Sequence, residues 1–336
     1  MTNSLDAAEA TFFERFSGQV NTVDMPLLFI LGSPRTGSTL IYQILVNSIR
    51  AFFFSNFVEN HFANHPVIGV ALEQTLNPHE PVSYESAFGK TKGLWEPSEA
   101  SKIFRNWFGG EHPSQLNSCD VISSKETHLI ATMQCIYALT GNVIITKNAW
   151  NCFRIKAIKD LFPRAHFLWI RRDLGFSALS DLQARYFRGN PEIWNSATTA
   201  NYREIQTLPY WEQVVEQQYE YNQSIATDLK KFAGNQFLEI WYEDLCDNTD
   251  SQMEYLQNYL TSYDLVTSIV NRNLPTFNRS FGTSNSSNED LSKIQGYIRE
   301  QEERFLDYMY LPNRPSSVGH SASGSSEELS SGIHNK

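Results

Sequence analysis

Residues 27–45 read LLFILGSPRTGSTLIYQIL. Five apolar residues are followed by small and turn-forming residues, and then by apolar positions (Leu40, Ile44, Leu45 and Ile49) at helical spacing. The pattern predicts a buried strand, a tight turn and a helix. A turn of this kind points several backbone N–H groups at one place, where the helix dipole adds positive potential. Gly32 and Gly37 let the backbone approach an anion, and Pro34 stiffens the turn. From Gly32 to Thr39 the spacing fits the phosphate-binding pattern G-x-x-x-x-G-K-[ST], except that Ser38 stands where the lysine belongs. Arg35 can replace the missing charge, as a planar fork instead of a point. Arg35, Thr36, Gly37, Ser38 and Thr39 are therefore candidate anion-binding residues, with backbone N–H groups, hydroxyls and one guanidinium between them.

Moving outward, HFLWIRRDLGFSALSDLQ (residues 166–183) repeats the layout of strand, basic turn and helix. Arg172 closes the strand, and Ser180 lies two turns into the helix, facing back. Two anion-binding turns on neighbouring strands of a parallel sheet would share the crevice at the strand C-termini and hold one ligand with two phosphate ends. Further strands are predicted at Ala51–Phe54, Asn142–Ile145 and Phe237–Trp241, with helical patterns between them. Strands alternating with helices imply a parallel sheet covered on both faces. Residues 1–26 read as a lead-in helix, 27–311 as the main domain, and 312–336 as a disordered Ser-rich tail. Residues 56–128 and 188–232 read as insertions, the second largely helical, and the first could shape a pocket.

The bulk properties narrow the class. The chain has 336 residues and a net charge of −10, which argues against nucleic-acid binding. Positive charge concentrates between Lys147 and Arg172. The N-terminus lacks the basic and apolar regions of a signal peptide, and no apolar run is long enough to span a bilayer. The four cysteines are scattered, without metal-ligand spacing. A cytoplasmic protein without a bound metal is expected. Nothing in the sequence fixes an oligomeric state.

Together these segments resemble the sulfotransferases that use 3′-phosphoadenosine 5′-phosphosulfate. GSPRTGSTL is similar to that family's 5′-phosphosulfate loop, in the version with arginine for lysine. IRRDLGFSALS is similar to its 3′-phosphate motif, which implies that Arg172 and Ser180 hold the 3′-phosphate. FLEIWYEDLCDN resembles the later strand that places a tyrosine near the adenine, here Tyr242. The resemblance runs in order over roughly residues 27–310. It implies an α/β, P-loop NTPase-like parallel sheet flanked by helices, 3′-phosphoadenosine 5′-phosphosulfate as co-substrate, and a small-molecule or glycan acceptor. Leu174 departs from the proline common after the 3′ motif's arginine. Arg279, with Gly282, loosely resembles the basic loop that closes the nucleotide site.

A sulfuryl group carries one charge fewer than a phosphoryl group, so in-line positioning and hydrogen bonds to its oxygens can replace both Mg²⁺ and the loop lysine. Lys147 ends the strand NVIITK and is expected in the crevice beside Arg35, where both would stabilise developing charge. The histidine base of many cytosolic members is absent, because Asn148 and Ala149 follow Lys147. His128 is expected on the surface at a helix start. Glu59 is the first candidate for general base, ahead of Glu96; His61 and Glu99 remain open. Two other readings stay open: a P-loop kinase or nucleotide hydrolase with Asp173 as its metal-binding aspartate, and a non-catalytic adenosine-bisphosphate-binding protein.

Overall fold

The structure is a computed structural model, which describes residues 2–78, 80–110, 120–266, 269, 274–279 and 285–312. The expected tail beyond residue 312 and the position of Gly282 lie outside the described residues. Among the described residues seven strands occur in chain order: β1 (Leu27–Leu31), β2 (Ala51–Phe52), β3 (Ser86–Ala87), β4 (Lys90–Thr91), β5 (Val143–Lys147), β6 (His166–Arg171) and β7 (Phe237–Trp241). Five form one sheet in the order β2-β5-β1-β6-β7, parallel throughout. The other two, β3 and β4, pair as a separate antiparallel hairpin.

The apolar run of β1 is buried at every position because both faces of the sheet are covered. Leu27, Phe29 and Leu31 join a core with Phe167, Trp169, Met133 and Phe104. Leu28 and Ile30 join a second core with Ile41, Ile44, Leu168 and Leu256 on the opposite face. Successive strand residues alternate sides, so one short apolar strand nucleates both layers. The helix after β1, Ser38–Ser48, buries Ile41, Ile44 and Leu45; Leu40, placed on that face by its spacing, is instead half-buried at the cleft.

Two strand boundaries differ from expectation. The strand predicted at Ala51–Phe54 ends at Phe52, because the Phe54 carbonyl leaves the sheet to accept from the Ser98 N–H at 2.7 Å. The strand predicted at Asn142–Ile145 instead spans Val143–Lys147, and pairing of Ile30 with Lys147 carries it two residues further. The first insertion is not structureless. It contains the helices Asn56–His61, Pro66–Leu76 and Ser101–Phe108 as well as the β3–β4 hairpin.

The second insertion is anchored by a buried charge network. Arg185 and Asp181 pair one helical turn apart at 3.2 Å, both fully buried. Asn195 donates to Asp181 at 2.6 Å, and Arg185 donates to Gln213 at 3.0 Å and Gln217 at 2.7 Å. A buried pair is tolerable when its remaining donors and acceptors are met in this way. The network holds the Asn195–Ser196 loop at the mouth of the crevice described next.

Candidate active site

The strand order puts β1 between β5 and β6, so the loop after β1 lies between the C-terminal ends of its two neighbours. Lys147 arrives from β5, and Arg172 follows directly on β6. The loop itself curls through two left-handed residues, Arg35 (φ 72) and Gly37 (φ 86). A non-glycine residue in that region carries a conformational cost, which the surrounding contacts must offset. Gly32 is required by space: a Cβ there would lie 2.6 Å from Thr36 Oγ1 and 2.8 Å from the Ile170 carbonyl. At Gly37 a Cβ would lie 2.4 Å from Tyr242 Cδ2, so the missing side chain lets the tyrosine ring rest on the loop. The buried Cys152 sits against Gly32 at 3.5 Å, and burial pushes its thiol up to about 12.

Two contacts join the two predicted anion turns. The Arg172 Nη1 donates to the Arg35 carbonyl at 2.9 Å, and the Arg35 Nε donates to Ser180 Oγ at 3.2 Å. The Arg172 guanidinium lies 4.6 Å from the Tyr242 ring centroid. Burial lowers the pKa of Arg35; Asp181 raises it and Arg172 lowers it further. Arg172 is likewise lowered, first by burial, with Tyr242 and Glu243 opposing. Two desolvated guanidinium groups side by side make a positive well that favours an anion. Lys147, Lys90 and Arg188 also line the cleft, against the single described carboxylate lining it, Glu99. Local charge thus runs opposite to the chain's net −10.

The carboxylates sort by their hydrogen bonds. Glu59 does not line the cleft: it accepts from the Ser98 hydroxyl and, at 3.1 Å, from the Lys102 N–H at the start of helix Ser101–Phe108. Glu96 accepts from the Ser83 N–H at 2.9 Å and braces the segment before β3. Glu99 lines the cleft and pairs with Lys147 Nζ. His61 is exposed, with its ring 5.7 Å from Phe57. His128, expected on the surface at a helix start, is in the first turn of the helix Glu126–Thr140 and is half-buried. Its Nδ1 accepts from Trp107 Nε1 at 3.0 Å, and Phe13 packs edge-on at 5.2 Å.

Other expected residues are distributed as follows. Gly37, Ser38 and Thr39 line the cleft, with Arg35, Arg172 and Tyr242. Thr36 is fully buried and its hydroxyl donates to the Ser33 carbonyl at 2.9 Å, so its side chain closes the loop on itself. Arg279 pairs with Asp247, Nε to Oδ1 at 2.8 Å, outside the cleft lining. Asp173 caps the helix Leu174–Phe187 by accepting from Phe176 N–H at 3.1 Å, and accepts from Tyr310 N–H at the same distance. Sequence reasoning did not anticipate the β3–β4 hairpin, which delivers Phe88, Gly89 and Lys90 to the cleft.

This architecture is a P-loop NTPase-like α/β fold in which the loop after β1 carries Ser38 where a lysine is usual and touches the turn after β6. The chain matches the sulfotransferase family model over residues 26–262 and belongs to that family. Its fold is similar to the sulfotransferase STF9 from Mycobacterium avium, at 12% identity and a TM-score of 0.51, covering 87% of this chain and 77% of that one. It is also similar to the sulfotransferase STF1 from Mycobacterium tuberculosis H37Rv, at 11% identity and a TM-score of 0.50, covering 89% and 81%. At such identities the likeness is one of fold. No curated protein matches the sequence. Among the described residues no helix is long and apolar enough to cross a membrane.

Proposed function

We propose that this chain transfers a sulfuryl group from 3′-phosphoadenosine 5′-phosphosulfate to an acceptor hydroxyl without a metal ion. The observation that carries the reading is the contact between the two anion turns through Arg35, Arg172 and Ser180. One ligand with phosphate groups at both ends fits two cationic turns that touch. Arg172 and Ser180 take the 3′-phosphate, with Tyr242 beside the base. The N–H groups of residues 35–39, together with Ser38 and Thr39, face the phosphosulfate end, where the helix N-terminus favours negative charge.

In the reaction the acceptor oxygen forms a bond to sulfur as the bond from sulfur to the bridging phosphate oxygen breaks. The acceptor proton passes to a base, and the adenosine bisphosphate leaves with the electron pair. Glu99 is the carboxylate in position for that proton, because it lines the cleft and Glu59 and Glu96 are engaged elsewhere. Lys147, held against Glu99, can lend its charge to the departing oxygen while the carboxylate is protonated. Arg35 stands across the same cleft as the second cation.

Calorimetric titration with 3′,5′-adenosine bisphosphate in the presence of a chelator tests the reading. Micromolar or tighter binding, clearly stronger than that of 5′-AMP, is expected. Binding only of ATP with Mg²⁺ would return the kinase reading to first place.

A further inference from the structure

The hairpin β3–β4 is fastened along the loop helix by one stripe of side chains. Thr39 Oγ1 donates to the Gly89 carbonyl at 3.1 Å, and Gln43 Nε2 donates to the Glu85 carbonyl at 3.1 Å. Asn47 exchanges two bonds with Val82, at 2.8 and 2.9 Å. Positions 39, 43 and 47 are one helical turn apart, so the phosphate-loop helix itself sets where the hairpin lies. The hairpin tip then hangs over the cleft. Phe88 (φ 50) and Gly89 (φ 86) are both left-handed, as a two-residue hairpin turn of this type requires.

What the tip touches gives it a role. A Cβ built on Gly89 would lie 3.5 Å from Thr39 Oγ1, 3.9 Å from Glu99 Oε1 and 4.0 Å from Arg35 Nη1. Gly89 therefore faces the place where a base, a loop hydroxyl and a guanidinium converge. The Phe88 ring lies 5.3 Å from the Arg35 guanidinium on one side. It also meets Phe187, with ring centroids 4.6 Å apart and planes inclined by 31°. Phe187 ends the helix that carries Ser180, and it is 75% exposed, the most exposed large apolar side chain among the described residues. Lys90 and Arg188, close to this aromatic pair in the chain, line the cleft together with Phe88.

We infer that Phe88, Gly89 and Phe187 form the acceptor-selecting element, and that the acceptor is an aryl alcohol without positive charge. The inference rests on the donor reading above. The aromatic body stacks on the exposed Phe187–Phe88 surface, and the hydroxyl passes over Gly89, where no side chain blocks it, to reach Glu99. Offset or edge-on contact with two rings favours a flat aromatic body over a sugar. Lys90 and Arg188 disfavour a cationic acceptor such as an amino sugar.

The test uses the full chain saturated with adenosine bisphosphate, titrated with 2-naphthol and separately with methyl glucoside. Phe187→Ser and Phe88→Ala are compared with wild type, and each variant's affinity for the bisphosphate is measured first. Phe187 is exposed, so its replacement leaves folding intact. Expected are submillimolar naphthol binding, weakened at least tenfold in Phe187→Ser, with bisphosphate affinity held within twofold and glucoside binding weaker throughout. Bisphosphate binding with no naphthol binding, or naphthol binding that neither variant changes, would overturn the acceptor assignment alone. Tighter binding of the glucoside would do the same. Failure of the wild type to bind the bisphosphate would overturn the donor reading and this inference with it.

Discussion

Replacing Gly37 with alanine perturbs donor binding through a contact that can be worked out in advance. The position is left-handed, φ 86, which costs an L-residue about 1–2 kcal/mol relative to glycine. The added methyl would lie 2.4 Å from Tyr242 Cδ2, whereas carbon atoms pack at roughly 3.5–4.0 Å, so the ring must retreat by about an ångström. The retreat moves it from the Arg172 guanidinium, now 4.6 Å from its centroid. A desolvated cation–π contact contributes about 0.5–2 kcal/mol. The backbone cost falls on free and bound protein alike, and at about 2 °C per kcal/mol it lowers Tm by about 2–4 °C. The disturbed Arg172 falls on binding, and its loss raises the Kd for adenosine bisphosphate by roughly 2–30-fold. Thermal unfolding and calorimetric titration of Gly37→Ala, Tyr242→Ala and the double variant separate the two. With the ring gone, Gly37→Ala still lowers Tm but leaves Kd where Tyr242→Ala put it. An undiminished Kd penalty in the double variant would refute the route through Tyr242.

Arg172→Ala removes charged hydrogen bonds worth about 1.5–3 kcal/mol, so adenosine bisphosphate affinity falls by roughly 10–150-fold while 5′-AMP affinity changes little. Equal losses for both ligands would mean that Arg172 does not read the 3′-phosphate. Glu99→Gln lowers kcat by about 10²–10⁴-fold without weakening bisphosphate binding. Glu59→Gln instead costs about 1 kcal/mol of stability, from the helix start at Lys102, and spares kcat; the opposite ranking would restore Glu59 as the base. Glu73, buried beneath Ser55, is raised from 4.5 to about 7 chiefly by burial, with bonds from Ser55 and Asn77 opposing. The folded state therefore favours its protonated form: the stability this group contributes is full below about pH 4.5 and is lost as pH rises through about 7. Glu73→Gln mimics the neutral form, so its Tm should match wild type at about pH 4 and exceed it at about pH 8, and parallel pH curves would rule the assignment out.

The fold was legible where one strand could show its surroundings. The five apolar residues of β1 and the four of β6, Phe167–Ile170, all buried, are what a doubly covered parallel sheet demands, and both strands appear where they were expected. β2 and β5 were misjudged at their ends. Propensity cannot see that the Phe54 carbonyl has a better partner in Ser98, or that Ile30 extends the pairing of β5 to Lys147. The hairpin was missed because each of its strands has two residues, below the length at which alternation can be read. Its one signal was Phe-Gly between Ala87 and Lys90, a weak form of the glycine-bearing two-residue turn.

The proposed donor half of the cleft was more legible than the proposed acceptor half for a physical reason. Anion binding by backbone N–H groups needs glycines, a helix start and an arginine at fixed spacing, and spacing survives in sequence. The choice of base needs none of these. Glu59, Glu96 and Glu99 lie within one insertion, each a carboxylate near an aromatic or proline, and nothing local ranks them. They separate only through long-range partners: the Ser98 hydroxyl and Lys102 N–H hold the first, the Ser83 N–H the second, and Lys147 the third. The structure adds one long-range constraint. Lys147, expected at a strand end facing the crevice, is 7% exposed in the structure, and a buried ammonium needs an anionic partner. With no acidic residue on β5 or at its end, that partner had to come from an insertion folding over the cleft. In the proposed mechanism the same contact places that carboxylate between the lysine and the acceptor hydroxyl. The proposed base assignment therefore rests on the pairing with Lys147, and Glu99 is the residue that makes it.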